Sequence, residues 1–148
     1  MAELSTLSEF ADGLLAQLRP AARRALARRI ARQLRASQQQ RIAAQQTPDG
    51  SPYAPRRPQR WRPGKIRRQM FAKLRTARWL KLRATDSAAI VEFADQVQGM
   101  ARVHQFGLRD RVSRRLGALD AQYPMRELLG LSADDIAAIR DLVLRHLT

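Results

Sequence analysis

"WLKLRATDSAAIVEFAD", residues 79–95, decides the fold class, because the hydrophobic period changes there from helical to alternating. Leu80, Leu82 and Ala84 alternate with Lys81, Arg83 and Thr85, and Val91 and Phe93 flank Glu92. Side chains along a strand point to opposite faces in turn, so each run reads as a half-buried strand. "TDS" between them supplies the turn, and a β-hairpin over 79–94 follows.

Outward from the hairpin the pattern is mainly helical. Upstream, Lys65 to about Arg78 ("KIRRQMFAKLRTAR") sets Ile66, Met70, Leu74 and Ala77 on one side, which predicts a long helix leading into the hairpin. Before it, "QTPDGSPYAPRRPQRWRPG" (46–64) holds five prolines and two glycines and reads as an arm or loop. At the N-terminus Leu7, Phe10, Leu14 and Leu18 recur at helical spacing, and "TLSE" (Thr6 to Glu9) has the form of a capping box. Pro20 opens a second helix that runs to about Ala43, with Leu26, Ile30 and Leu34 as its stripe.

Downstream, "QVQGMARVHQFG" predicts a short helix stopped by Gly107. "LRDRVSRRLGALDAQ" (108–122) is polar and reads as loop, and "YPMRELLGL" as a short strand or extended segment. Ser132 caps a last helix, with Asp134 and Asp135 in its first turn and Ile136, Ile139, Val143 and Leu147 as its buried stripe. The expectation is a single α+β domain: a basic helical region 1–45, a Pro-rich arm 46–64 and an α+β core 65–148.

Charge divides the chain unevenly. Its 148 residues hold 28 basic and 13 acidic side chains, net +15. Twenty of the basic residues lie between Gly13 and Thr85 against a single acid, Asp49; beyond Thr85 the balance is close to neutral. Arg23, Arg24, Arg28, Arg29, Arg32 and Arg35 make the second helix a basic surface suited to a polyanionic partner, either nucleic acid or an acidic protein. Tyr53 and Trp61 stand in the basic arm, where they can stack on bases or anchor a protein interface.

Several classes of chemistry have no residues to carry them. There is no cysteine, so neither a disulfide nor a thiolate site is available. His104 and His146 are the only histidines and lack clear carboxylate partners, which leaves no metal site. No phosphate-binding or nucleophile-elbow motif occurs, so the expectation is no enzyme and no cofactor. No apolar run approaches the roughly 20 residues of a membrane span.

"TPDGSPYAPRRP" (47–58), "KIRRQMFAKLRTARWLK" (65–81), "VHQFGLRDRV" (103–112) and "YPMRELLGLSADDIAAI" (123–139) together resemble the tail completion proteins of contractile-tailed temperate phages, the phage virion morphogenesis proteins. The resemblance covers residues 38–148. It implies a structural virion protein, assembled in the host cytoplasm, that finishes the head-proximal end of the tail and enables head–tail joining. It also implies a homo-oligomer, a hexameric ring by analogy, with tail tube, sheath and head–tail connector proteins as partners. Within it, Val103 and Phe106 read as packing anchors and Gly107 as a helix stop, while His104 and Gln105 read as hydrogen-bonding groups near a subunit contact. An ordinary core histidine serves equally well for His104. The alternative is a nucleic-acid-binding accessory protein that works through the arginine-rich half.

Overall fold

A computed structural model of the chain describes residues 2–16, 18–56, 68–112, 117 and 119–147. Among these the order is α1 (Ala2–Leu15), α2 (Pro20–Ala43), β1 (Leu80–Ala84), β2 (Ala89–Phe93), α3 (Asp95–Phe106), β3 (Arg109–Arg111), β4 (Asp120–Gln122) and α4 (Ala133–Leu147). The four strands form two separate two-stranded antiparallel sheets, β1–β2 and β3–β4. The class is α+β, as the hairpin stretch indicates. Among the described residues no helix is long and apolar enough to cross a membrane.

The chain divides into two compact units. One comprises Met1–Ser37, Lys81–Glu92 and Leu131–Thr148. In it α1 packs on α4, and Leu7, Leu26, Ala27, Ala31, Ile136 and Val143 are buried. α1 begins at Ala2, so Thr6 sits inside the helix and "TLSE" does not cap it. Ala2, Glu3 and Leu4 all favour helix, and Glu3 suits the positive end of the helix dipole, so the helix starts a turn earlier. The expected cap on α4 does form: the Asp135 N–H donates to Ser132 Oγ at 3.0 Å, and the Ser132 N–H donates to Asp135 Oδ2 at 3.0 Å. The Ser37 hydroxyl of α2 also donates to that carboxylate. In the hairpin turn the Thr85 hydroxyl accepts from the N–H groups of Ser87 and Ala88, and Arg83 meets Glu92 at 3.4 Å.

The other unit comprises Gln38–Leu80 and Phe93–Gly130. Its core is Ile42, Tyr53, Leu74, Leu80, Phe93, Ala101, Val103 and Leu128. α3 ends as expected, with Gly107 in the left-handed region at φ 64° and its N–H on the Val103 carbonyl. A Cβ at Gly107 would lie 2.8 Å from the Met125 backbone nitrogen, so glycine answers both the turn and the close approach.

Two expectations for this unit are corrected. The helix over 65–78 is not formed: residues 70–75 and 77–79 are turns, Phe71 has φ +64°, and 65–67 lie outside the described residues. Gln45 accounts for the break, because its amide takes the Met70 carbonyl at 2.9 Å and accepts the Met70 N–H at 3.2 Å. A side chain thereby occupies groups that an α-helix would pair along its own axis. The loop reading of 108–122 also fails, since β3 and β4 pair antiparallel with Arg109 opposite Gln122 and Arg111 opposite Asp120. β3 is polar on both faces and β4 offers Ala121 alone as an apolar residue, so no alternation long enough to read announced them. "YPMRELLGL" forms no strand; residues 123–128 carry no regular secondary structure.

Candidate functional site

A segment without ladder hydrogen bonds must satisfy its buried backbone groups in another way. Residues 126–130 do so through side chains of α2 and α3 within the same unit. Gln105 donates from Nε2 to the Leu129 carbonyl at 2.8 Å, and its Oε1 accepts from the N–H groups of Leu128 and Leu129 at 2.9 and 3.0 Å. Gln38 repeats the device on Gly130, donating to its carbonyl at 3.0 Å and accepting its N–H at 3.1 Å. The buried Arg41 adds a donor to the same carbonyl at 2.9 Å and a second hydrogen bond to Gln38 Oε1. Each glutamine amide thus stands in for a missing strand partner.

The same segment fastens the root of the proline-rich loop. Arg126 is 5% exposed. Its Nε donates to the Ala54 carbonyl at 2.8 Å and its Nη2 to the Pro55 carbonyl at 3.0 Å, while its own N–H donates to the His104 carbonyl at 2.7 Å. Tyr53 is buried beside it, with its hydroxyl 3.3 Å from the Glu127 carbonyl, and burial pushes its pKa up to about 12. A Cβ on Gly130 would lie 2.5 Å from Pro48 Cγ, so the loop's first turn rests directly on this glycine. That turn is closed by Asp49, whose carboxylate accepts from Thr47 and Ser51 and is thereby held at a pKa of about 2.

Four rings run through the unit, each edge-on to the next. Tyr53 and Phe71 are 5.8 Å apart, Phe71 and His104 4.8 Å, His104 and Tyr123 5.1 Å. His104 Nδ1 is buried with no hydrogen-bond partner among the described residues. Burial, and then the Arg126 cation, push its pKa down to about 4, against a smaller opposing pull from Asp110. At neutral pH His104 is therefore an uncharged ring in an aromatic row.

The residues singled out from sequence fall into four groups. Tyr53, His104 and Gln105 come together in this clasp, facing their own chain. Phe106, on the same helix, is 60% exposed with Arg102 over its ring at 5.9 Å, so unlike the buried Val103 it is not the packing anchor expected of it. Trp61 lies outside the described residues. On α2, Arg24, Arg28, Arg29 and Arg32 are exposed, Arg35 is half-buried, and Arg23 pairs with Asp86 at 3.8 Å. Sequence reasoning missed Arg126, Gln38 and Arg41. Their signal was available, since an arginine inside the apolar "MRELL" run and polar residues at 38 and 41 continuing the Leu34 face both mark buried polar work.

The clasp joins the four sequence blocks that carried the family resemblance, and the comparison with known proteins agrees. The chain belongs to the phage virion morphogenesis family, whose model matches residues 2–148. It is similar to tail completion protein S of Escherichia phage P2, with 41% identity over 150 residues covering 99% of each chain. No solved structure matches it.

Proposed function

We propose that this chain is a structural protein of phage tail assembly that completes the head-proximal end of the tail and makes it competent to join a head. The observation that carries this reading is the near full-length similarity to a tail completion protein. The clasp supports it physically. It spends its polar groups on holding irregular backbone, which suits a presenting scaffold. In keeping with its structural family, the protein works without catalysis, as a component of the virion tail put together in the host cytoplasm.

Its partners are tail and head proteins, and it assembles with copies of itself into a ring of six. Phe106 and the arm that carries Trp61 meet those partners, while Tyr53, His104 and Gln105 hold the presenting surface in shape. The nucleic-acid alternative gains no support from the family or the phage relative. The test is to delete the gene from its phage and inspect lysates by electron microscopy. Filled heads beside detached or unfinished tails are expected; normal virions in normal yield refute the assignment.

A further inference from the structure

The 24 residues of α2 hold seven arginines and no acid. Arg24, Arg28 and Arg32 are exposed at i, i+4 and i+8, a stripe about 12 Å long, and Arg35 continues it at its half-buried edge. Among the described residues neither these four nor Arg29 has an acidic partner. Like charges one turn apart destabilise a helix, so the isolated chain carries a repulsion that an outside anion relieves.

α1, in the same compact unit, is its electrical opposite, with three acids and no base. Glu9 and Asp12, three residues apart, are exposed on the side away from the buried Leu7, while Phe10, three residues after Leu7, flanks the buried side and is 49% exposed. Glu3, Glu9 and Asp12 likewise have no basic partner among the described residues.

We infer that the acidic face of α1 in one copy docks on the arginine stripe of α2 in the next. This rests on the reading that the chain assembles with itself. Two unlike faces on one subunit make a heterologous contact, which repeats around a ring and closes. The arginine fork matches carboxylate geometry.

The test uses the full chain and light scattering. Wild type assembles in about 0.05 M salt and loosens in about 0.5 M, where exposed charges are screened within a few ångströms. Glu9→Lys with Asp12→Lys, and separately Arg28→Glu with Arg32→Glu, each weaken association by about a hundredfold, because like charges then face each other. Mixing the two variants in equal amounts restores assembly, since each reversed face finds its complement on the other. Should reversal cost the fold, seen by circular dichroism, Glu9→Gln with Asp12→Asn and Arg28→Gln with Arg32→Gln carry the same test, with about tenfold weakening expected. Variants that assemble like wild type, or folded variants whose mixture stays monomeric, overturn the contact. So does a wild type that is monomeric at low salt while its arginines shift a short DNA duplex. A monomeric chain that still completes tails overturns this contact alone, whereas normal virions without the gene overturn the reading beneath it.

Discussion

Gln105 offers the sharpest test of the clasp. Its amide makes three hydrogen bonds to Leu128 and Leu129, at 2.8, 2.9 and 3.0 Å. Each is worth about 1 kcal/mol net, so losing all three costs about 3 kcal/mol. The residue is half-buried, and water recovers part of that, which sets the expected loss at about 2–3 kcal/mol. For a chain of this size the melting temperature then falls by about 5–10 °C. Gln105→Met is the informative substitution, because it keeps the side chain's length and volume while removing every polar contact. Gln105→Ala should lose about as much as Gln105→Met if hydrogen bonding dominates. Urea unfolding followed by circular dichroism reads the midpoint, with an unchanged slope expected. If Gln105→Met lies within about 0.5 kcal/mol of wild type, the amide is not what holds residues 126–130, and the clasp reasoning fails.

Three further outcomes follow from the same geometry. His104 has a folded pKa of about 4 against 6.5 when unfolded, so its contribution is complete above pH 6.5 and is lost as pH falls from 6.5 towards 4. With screening of a half-buried ring the loss is about 1–2 kcal/mol, and the stability difference between wild type and His104→Phe, measured across that window, should change by that amount. Gly107→Ala must hold φ near 64° with its Cβ 2.8 Å from Met125 nitrogen, so a loss of about 2 kcal/mol or more is expected in urea unfolding. Phe106→Ser, at a 60% exposed position, should leave stability within about 0.5 kcal/mol yet lower the yield of joined particles; a normal yield would remove Phe106 from the partner surface.

What was legible in the sequence is what repeats with a period. The hairpin at 80–93, the α2 limits at Pro20 and Ala43, the Gly107 stop and the Ser132–Asp135 cap each follow from a local rule, and each is present. Side chains acting across the chain defeated local reading. "KIRRQMFAKLRTAR" has sound helical spacing, but Gln45, 25 residues earlier, takes both polar groups of Met70. The β3–β4 ribbon was invisible for another reason. Arg109, Asp110, Arg111 and Asp120 are exposed, so burial stamped no alternation on them. The clasp was half legible. "VHQFG" and "RELLG" stood out as unusual strings, yet nothing within either shows that one's glutamine holds the other's backbone.

The clasp and the charged helices have one energetic consequence in common. Two-stranded ribbons are marginal alone, and the 126–130 segment depends on a handful of amides, so local opening of this unit is governed by a few polar contacts. The unrelieved arginines of α2 add repulsion to the free chain. If copies dock through the α1–α2 contact proposed above, docking neutralises the stripe, and anything that binds only the folded form stabilises it by mass action. It follows that apparent stability should rise with protein concentration at low salt, and that this rise should disappear in the α1 and α2 charge-reversal variants measured one at a time.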